Sequence, residues 1–106
     1  MPKFLLEVRY TREGLQGVVA KGGTARVEAA TAGVESAGGK VEAFYFAFGE
    51  NDVYLVADFP DNAAAAAVAL TVGAAGGATV RTVPLLTPEE VDRATKAGVE
   101  YRPPGA

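Results

Sequence analysis

The stretch Phe44-Tyr-Phe-Ala-Phe-Gly-Glu-Asn-Asp-Val-Tyr-Leu-Val-Ala-Asp-Phe59 decides the fold of this chain. It predicts two antiparallel strands joined by a tight turn at residues 49–52. The expected cross-strand pairs are Phe48 with Val53, Phe46 with Leu55, and Phe44 with Ala57. One side of this hairpin is entirely apolar, and the other side is mixed. The apolar surface exceeds what one small chain can cover, so the pattern predicts a partner.

The segments before the hairpin predict a strand followed by helix. Apolar and polar residues alternate over residues 3–10, which is the period of a half-buried strand. Thr11 is placed to cap a helix that residues 21–23 interrupt, because two glycines follow Lys21. Thr24 offers a second cap for a helical segment that Gly38-Gly39 ends.

The segments after the hairpin predict a helix, a strand and a short helix. Pro60-Asp61-Asn62 stops the hairpin and caps an Ala-rich helix over residues 62–75. Residues 78–86 form a strand whose Pro84 requires a sheet edge or a bulge. Thr87-Pro88-Glu89-Glu90 then begins a helix that runs to about Ala97.

The order strand, helix, strand, strand, helix, strand predicts an α+β fold with a ferredoxin-like antiparallel sheet and an added C-terminal helix. In that topology both crossover helices cover one side of the sheet and leave the other side bare. We therefore expect residues 1–98 to form one domain, residues 99–106 to form an extended tail, and two copies to associate sheet to sheet as in a dimeric α/β barrel.

Composition excludes several kinds of chemistry. The 106 residues contain no Cys, His or Trp, which removes disulfides, thiolate nucleophiles, imidazole bases and Cys/His metal sites. No Asp-rich calcium loop is present, so the sequence predicts no metal and no cofactor. The net charge of −3 and the lack of a basic run argue against nucleic-acid binding. The N-terminus lacks a signal-peptide pattern and no apolar run is long enough to span a membrane, so we expect a cytoplasmic location.

The bare side of the sheet is the first candidate site. Strand parity places on it two phenols, two carboxylates and two guanidinium groups. They are Glu7, Arg9, Tyr45, Tyr54, Asp58 and Arg81. A second subunit stacked on these groups would enclose a small-molecule pocket. The alternative is that they form cross-strand pairs in a polar part of a subunit interface, Glu7 with Arg9 or Arg81, and Asp58 with a tyrosine hydroxyl.

The glycine-rich segment between the two helical segments is the second candidate site. A glycine turn before a helix start, with a cation nearby, can hold an anion on free amides. The residues are Gly22, Gly23, Thr24 and Arg26. The spacing matches neither a P-loop nor a dinucleotide fingerprint, and a simple helix break is the alternative interpretation. Asn51 and Asp52 are explained by turn chemistry alone.

Two segments of the hairpin resemble a known family. Phe48-Gly49-Glu50-Asn51-Asp52-Val53, followed by Ala57-Asp58-Phe59-Pro60-Asp61, resembles the GYD domain family, a group of small proteins mostly without assigned function. Further matches are Tyr10-Thr11 with Gly14, and Gly-Gly-Thr-Ala-Arg. Gly49 and Asp52 match the family pattern Gly-x-Tyr-Asp, while Asn51 stands at the tyrosine position. The resemblance implies a ferredoxin-like fold related to the dimeric α/β-barrel proteins, and it implies no particular reaction.

Three functions fit these patterns. The first is a homo-oligomeric protein, a dimer or multiple of dimers, that senses or binds a small molecule on the bare side of the sheet. The second is a cofactor-independent isomerase or monooxygenase-like enzyme, with Asp58 or Glu7 as base and a tyrosine with Arg9 or Arg81 stabilising an oxyanion. The third is a protein-interaction module that uses an exposed edge or the tail, where Tyr101-Arg102 could anchor.

Overall fold

Four strands and four helices follow one another in the computed structural model, which describes residues 1–105. The elements in chain order are β1 (Lys3–Tyr10), α1 (Arg12–Lys21), α2 (Gly23–Ser36), β2 (Lys40–Phe46), β3 (Val53–Asp58), α3 (Asn62–Ala75), β4 (Ala78–Leu85) and α4 (Pro88–Thr95). The predicted α+β class is confirmed. No helix among the described residues is long and apolar enough to cross a membrane.

The strands form one open sheet in the order β2-β3-β1-β4, and every neighbouring pair is antiparallel. The edge position predicted for β4 from Pro84 is confirmed. Pro84 pairs with Phe4 of β1 on one side and has no strand on the other. Proline has no backbone N–H to donate to a neighbouring strand, and at the edge of the sheet no neighbouring strand requires that hydrogen bond.

The predicted hairpin register is wrong by two residues. Phe46, and not Phe48, lies opposite Val53, and Phe44 lies opposite Leu55. The connection is longer than a tight turn because its last residue is bound to β1: the Asp52 amide donates to the Val8 carbonyl at 2.8 Å. Phe48 is consequently left outside the sheet and fully exposed. A shift of two residues preserves parity, so the assignment of side chains to the two faces is unchanged.

Helices α1 and α2 are separated at Gly22, which has a φ of +84° that favours glycine. Thr24 is not the cap of α2, as was predicted. The N-cap is Gly22, two residues earlier, and the helix begins at Gly23. A β-carbon at Gly23 would lie 3.0 Å from the Phe46 ring. The close approach of that ring therefore leaves little room for a side chain at Gly23.

The hydrophobic core lies between the sheet and helices α2 and α3. Val34 of α2 and Ala65 of α3 are buried against side chains from β1 and β3. The edge of Phe59 meets the ring of Phe4 with centroids 5.7 Å apart. The remaining buried members of this cluster are Leu6, Val53, Leu55 and Ala57. Both helices therefore pack on the same side of the sheet.

Helix α1 is fastened at its start to the turn between α3 and β4. The Thr11 amide donates to the Gly77 carbonyl at 3.0 Å, and the Thr11 hydroxyl donates to the Gly76 carbonyl at 2.9 Å. The Thr11 hydroxyl oxygen also accepts from the Gly14 amide, which confirms the predicted cap. A β-carbon at Gly14 would overlap the Gly77 carbonyl, so this approach requires glycine.

Residues 86–105, here called the C-terminal arm, extend from β4. They include α4, which has a capping box. The Thr87 amide donates to Glu90 Oε1 at 3.0 Å, and the Glu90 amide donates to Thr87 Oγ1 at 3.2 Å. All residues from Val91 to Gly105 are exposed. The molecule measures 57 by 32 by 22 Å, the elongated outline expected when such an arm leaves the sheet. Helix α4 ends at Thr95, two residues before the predicted end; of the predicted tail, Ala106 lies outside the described residues.

Candidate functional site

The side of the sheet opposite α2 and α3 is here called the open face, and α4 makes no extensive contact with any of the four strands. Four of the six predicted site residues form one row straight across this face. Tyr45 pairs with Tyr54, Tyr54 pairs with Glu7, and Glu7 pairs with Arg81. The structure therefore brings together two phenols, a carboxylate and a guanidinium group on four adjacent strands, here called the polar row.

Asn51 ties the polar row to the β2–β3 turn. Its Nδ2 donates to Glu7 Oε2 and to the Tyr54 hydroxyl, both at 3.2 Å. Asp52 also reaches β1, since its Oδ2 accepts from the Tyr10 amide at 2.8 Å. The interpretation of both residues as turn chemistry alone is wrong, because their side chains bind a strand more than forty positions away. Only the fold reveals that the turn lies against β1.

The predicted ion pair between Glu7 and either arginine is not formed. Across residues 1–105, only Lys3 makes ion pairs. Arg81 is the direct neighbour of Glu7 on β4, but its side chain is exposed and makes no ion pair among the described residues. Arg9 lies two residues beyond Glu7 on the same face and is also exposed. Both guanidinium groups are therefore available to a partner or a ligand.

Next to the polar row runs an apolar row. Ala43, Val56, Leu5 and Val83 are successive cross-strand partners on β2, β3, β1 and β4, and all four are half-buried. Side chains in such a row shield one another laterally while their tips stay in water. The open face therefore has a continuous aliphatic stripe across its whole width.

Asp58 belongs to a different cluster at the far end of the sheet. Lys3 Nζ donates to Asp58 Oδ1 at 3.0 Å and to Glu42 Oε2 at 2.8 Å. The bond to Glu42, followed by that to Asp58, raises the pKa of Lys3. Asp58 is four residues from Tyr54, or about 13 Å along the strand. The prediction that Asp58 bonds a tyrosine hydroxyl is wrong, because Asp58 bonds Lys3 instead. The interpretation of Asp58 as a base stays a prediction.

The four predicted anion-site residues are divided between two environments. Gly22 and Gly23 form the junction of α1 and α2, and Thr24 is exposed in the first turn of α2. Packing against Phe46 and a positive φ account for the two glycines. Arg26 lines a cavity together with Tyr10. The structure thus favours the helix-break interpretation of the glycines and gives Arg26 a separate role.

The cavity that Arg26 borders lies between the helices and the sheet and was not predicted. Its volume is about 120 Å³, and its walls are mostly apolar, with Tyr10 and Arg26 as the polar exceptions. It is partly open to solvent along α2, where Arg26, Ala29 and Gly33 are exposed. The sequence signal was the run of small residues on α2 that face the sheet. They are Ala29, Ala30 and Gly33.

Tyr10 and Arg26 stand where this cavity meets a second depression of about 230 Å³, since both residues line both spaces. Burial raises the pKa of the Tyr10 phenol above its ordinary value, the positive charge of Arg26 opposes that rise, and the Asp52 carboxylate adds to it. The phenol is therefore protonated at neutral pH and can donate a hydrogen bond. The junction holds two polar donors beside an apolar interior.

Within residues 1–105, no cluster of three or more Asp or Glu side chains is arranged to hold a metal ion.

Comparison with known families gives one result: the sequence profile described as GYD domain matches residues 4–95. No curated protein and no solved structure matches the chain. The match includes every residue of the polar and apolar rows and both residues at the mouth of the cavity.

Proposed function

The chain belongs to the GYD domain family, and from this premise we propose that it is a homo-oligomeric cytoplasmic protein whose subunits pair through the open face and enclose a small-molecule pocket there. The resemblance made from Gly49 and Asp52 is confirmed by the match to residues 4–95. The strand order β2-β3-β1-β4 with both crossover helices on one side supports a ferredoxin-like classification.

The observation that carries the proposal is the apolar row left uncovered between two polar clusters. A sheet with one side in water normally alternates apolar and polar residues, so that the wet side is polar. Here the centre of the wet side carries Leu5, Val56 and Val83 on three adjacent strands. Burying these tips against a second copy removes apolar surface from water, and a second copy offers the same stripe in return.

The two ends of the open face differ little in net charge. Lys3 and Lys40 accompany Glu42 and Asp58 at one end, and Glu7 accompanies Arg81 and Arg9 at the other. The apolar row, which a second copy repeats, therefore carries the pairing. A two-fold axis parallel to the strands would bring the polar rows of the two copies together.

The open face alone is too small for a stable interface. With strands about 4.8 Å apart and a rise of about 3.3 Å per residue, the face covers roughly 400 Å². A specific interface buries about 800 Å² on each partner. The C-terminal arm is the exposed element that can supply the rest, and it carries Val99 and Tyr101 exposed for more than seven-tenths of their surface. The arm is thus part of the proposed assembly.

The polar row gives the enclosed space its chemistry. Tyr54 and Glu7 are fixed by Asn51, and Arg81 has no ion-pair partner among the described residues. Two stacked copies would place two phenols, a carboxylate and a guanidinium group from each subunit around one space. Such a pocket suits a small polar molecule that both donates and accepts hydrogen bonds.

Three valine-to-glutamate variants test the assembly by light scattering at micromolar concentration. Val56→Glu places a carboxylate at the centre of the apolar row. An unpaired charge in an interface costs about 3 kcal/mol or more, which is about a hundredfold in the dissociation constant. We expect Val56→Glu to be monomeric and Val19→Glu, at a site of α1 that is 87% exposed, to keep the wild-type mass.

Val99→Glu examines the arm and is expected to weaken assembly without abolishing it. Circular dichroism establishes that each variant is folded. A wild-type protein that is monomeric at micromolar concentration contradicts the proposal, and so does a Val56→Glu variant with the same mass as Val19→Glu. A Val99→Glu variant with the wild-type mass at every concentration contradicts the part assigned to the C-terminal arm.

A further inference from the structure

We propose that the cavity between the helices and the sheet binds the apolar part of a small carboxylic acid, whose carboxylate is held at the mouth by Arg26 and Tyr10. This site lies on the opposite side of the sheet from the open face. The inference is therefore independent of the assembly proposed above.

The walls of the cavity select an apolar group of limited size. Its lining comes from strands on one side and from α2 and α3 on the other. The principal side chains are Leu6, Val8, Val34, Leu55, Val68 and Val80. An apolar cavity of about 150 Å³ accepts a benzene molecule, so a cavity of about 120 Å³ suits roughly five or six carbon atoms.

The mouth of the cavity selects a planar anion. The guanidinium group of Arg26 is exposed and makes no ion pair among residues 1–105, and its fork of N–H groups matches the two oxygens of a carboxylate. The protonated phenol of Tyr10 supplies a further donor at the same place. One cation and one neutral donor fit a single negative charge.

Asp52 restricts the charge of the ligand further. Its carboxylate accepts from the Tyr10 amide at 2.8 Å, so it holds Tyr10 in place and also adds a negative charge near the mouth. That charge opposes a dianion more strongly than a monoanion. The site therefore favours a monocarboxylate over a phosphate monoester or a dicarboxylate.

Small residues line the cavity along α2. Ala29, Ala30 and Gly33 contribute no side chain larger than a methyl group to its wall, and Ala29 and Gly33 are exposed. The cavity is therefore accessible along α2, the helix that carries Arg26.

Titration calorimetry with hexanoate on the full chain tests the inference. Butanoate and decanoate test the size of the apolar part, and hexan-1-ol tests the need for charge. We expect hexanoate to bind at least tenfold more tightly than hexan-1-ol. Arg26→Gln should weaken hexanoate binding at least tenfold, while Arg12→Gln, the same change at an exposed site of α1 outside the cavity, should leave it unchanged.

A second variant separates loss of the site from loss of the fold. Ala30→Leu fills the cavity from α2 and should abolish binding of hexanoate while the protein stays folded by circular dichroism. The inference is overturned if the wild-type protein binds none of the three acids, if hexan-1-ol binds as tightly as hexanoate, or if Arg26→Gln and Arg12→Gln bind hexanoate equally.

Discussion

Two glycines of α1, three residues apart, should respond in opposite directions to the same substitution. A β-carbon at Gly14 would overlap the Gly77 carbonyl, whereas a β-carbon at Gly17 would meet nothing within 4 Å. Both glycines are in the helix and neither has a positive φ. Gly14→Ala and Gly17→Ala therefore differ only in what the added methyl group meets.

The expected magnitudes follow from the contacts. Alanine in place of glycine within a helix stabilises by about 0.5–1 kcal/mol, which is the whole effect expected for Gly17→Ala. At Gly14 the methyl group must displace a backbone carbonyl, and overpacking of that kind costs about 1–3 kcal/mol. The displaced carbonyl also accepts from the Thr11 amide, a bond that contributes about 1 kcal/mol. The net loss for Gly14→Ala is therefore about 1–3 kcal/mol.

Urea unfolding followed by circular dichroism measures both variants under the same conditions. We expect the free energy of unfolding to rise for Gly17→Ala and to fall for Gly14→Ala, with a difference of about 2 kcal/mol or more between them. Equal stabilities would refute the close approach of α1 to the α3–β4 turn. A Gly14→Ala protein more stable than the wild type would refute it more strongly.

Two further predictions concern Tyr10 and the residue that holds it. Asp52→Ala removes a charged acceptor from the Tyr10 amide and should lower the free energy of unfolding by about 2 kcal/mol. Glu50→Ala in the same turn is the control and should cost less than about 0.5 kcal/mol. Similar losses for the two variants in urea unfolding would count against the bond. Because burial raises the pKa of the Tyr10 phenol, the folded state keeps a proton that the unfolded state releases, so stability is intact below about pH 10 and is lost as the pH rises above it. The thermal midpoint should therefore fall more steeply between about pH 9 and 11 for the wild type than for Tyr10→Phe, and parallel curves would contradict this.

The sequence predicted the elements and the faces of the sheet because both depend on local periodicity. Alternation over residues 3–10, the cap at Thr11 and the restriction imposed by Pro84 each have a cause within a few residues. Parity then assigned Glu7, Tyr54 and Arg81 to one face without knowledge of the register. An error of two residues in the hairpin consequently left the polar row intact.

The errors arose where distant segments meet. In the hairpin, Asp52 binds β1, and at the start of α2, Gly23 packs closely against the ring of Phe46. The partner of Asp58 is a lysine on a neighbouring strand that local sequence does not reveal. The cavity is an absence of atoms between elements, and a pattern of small residues on one helix gave the only sign of it.

The two bonds that position Tyr10 and Thr11 also affect the order of events in folding. The Asp52–Tyr10 bond joins residues 42 positions apart, and the Thr11–Gly76 bond joins residues 65 positions apart. The cost of closing a loop grows with the length of chain that it encloses, so we expect the Asp52–Tyr10 bond to form before β1 pairs with β4, where Tyr10 and Ala78 enclose a longer loop. We expect the Thr11–Gly76 bond to form together with that pairing. The fourth strand would then join last, on a three-stranded sheet in which Tyr10 is already held.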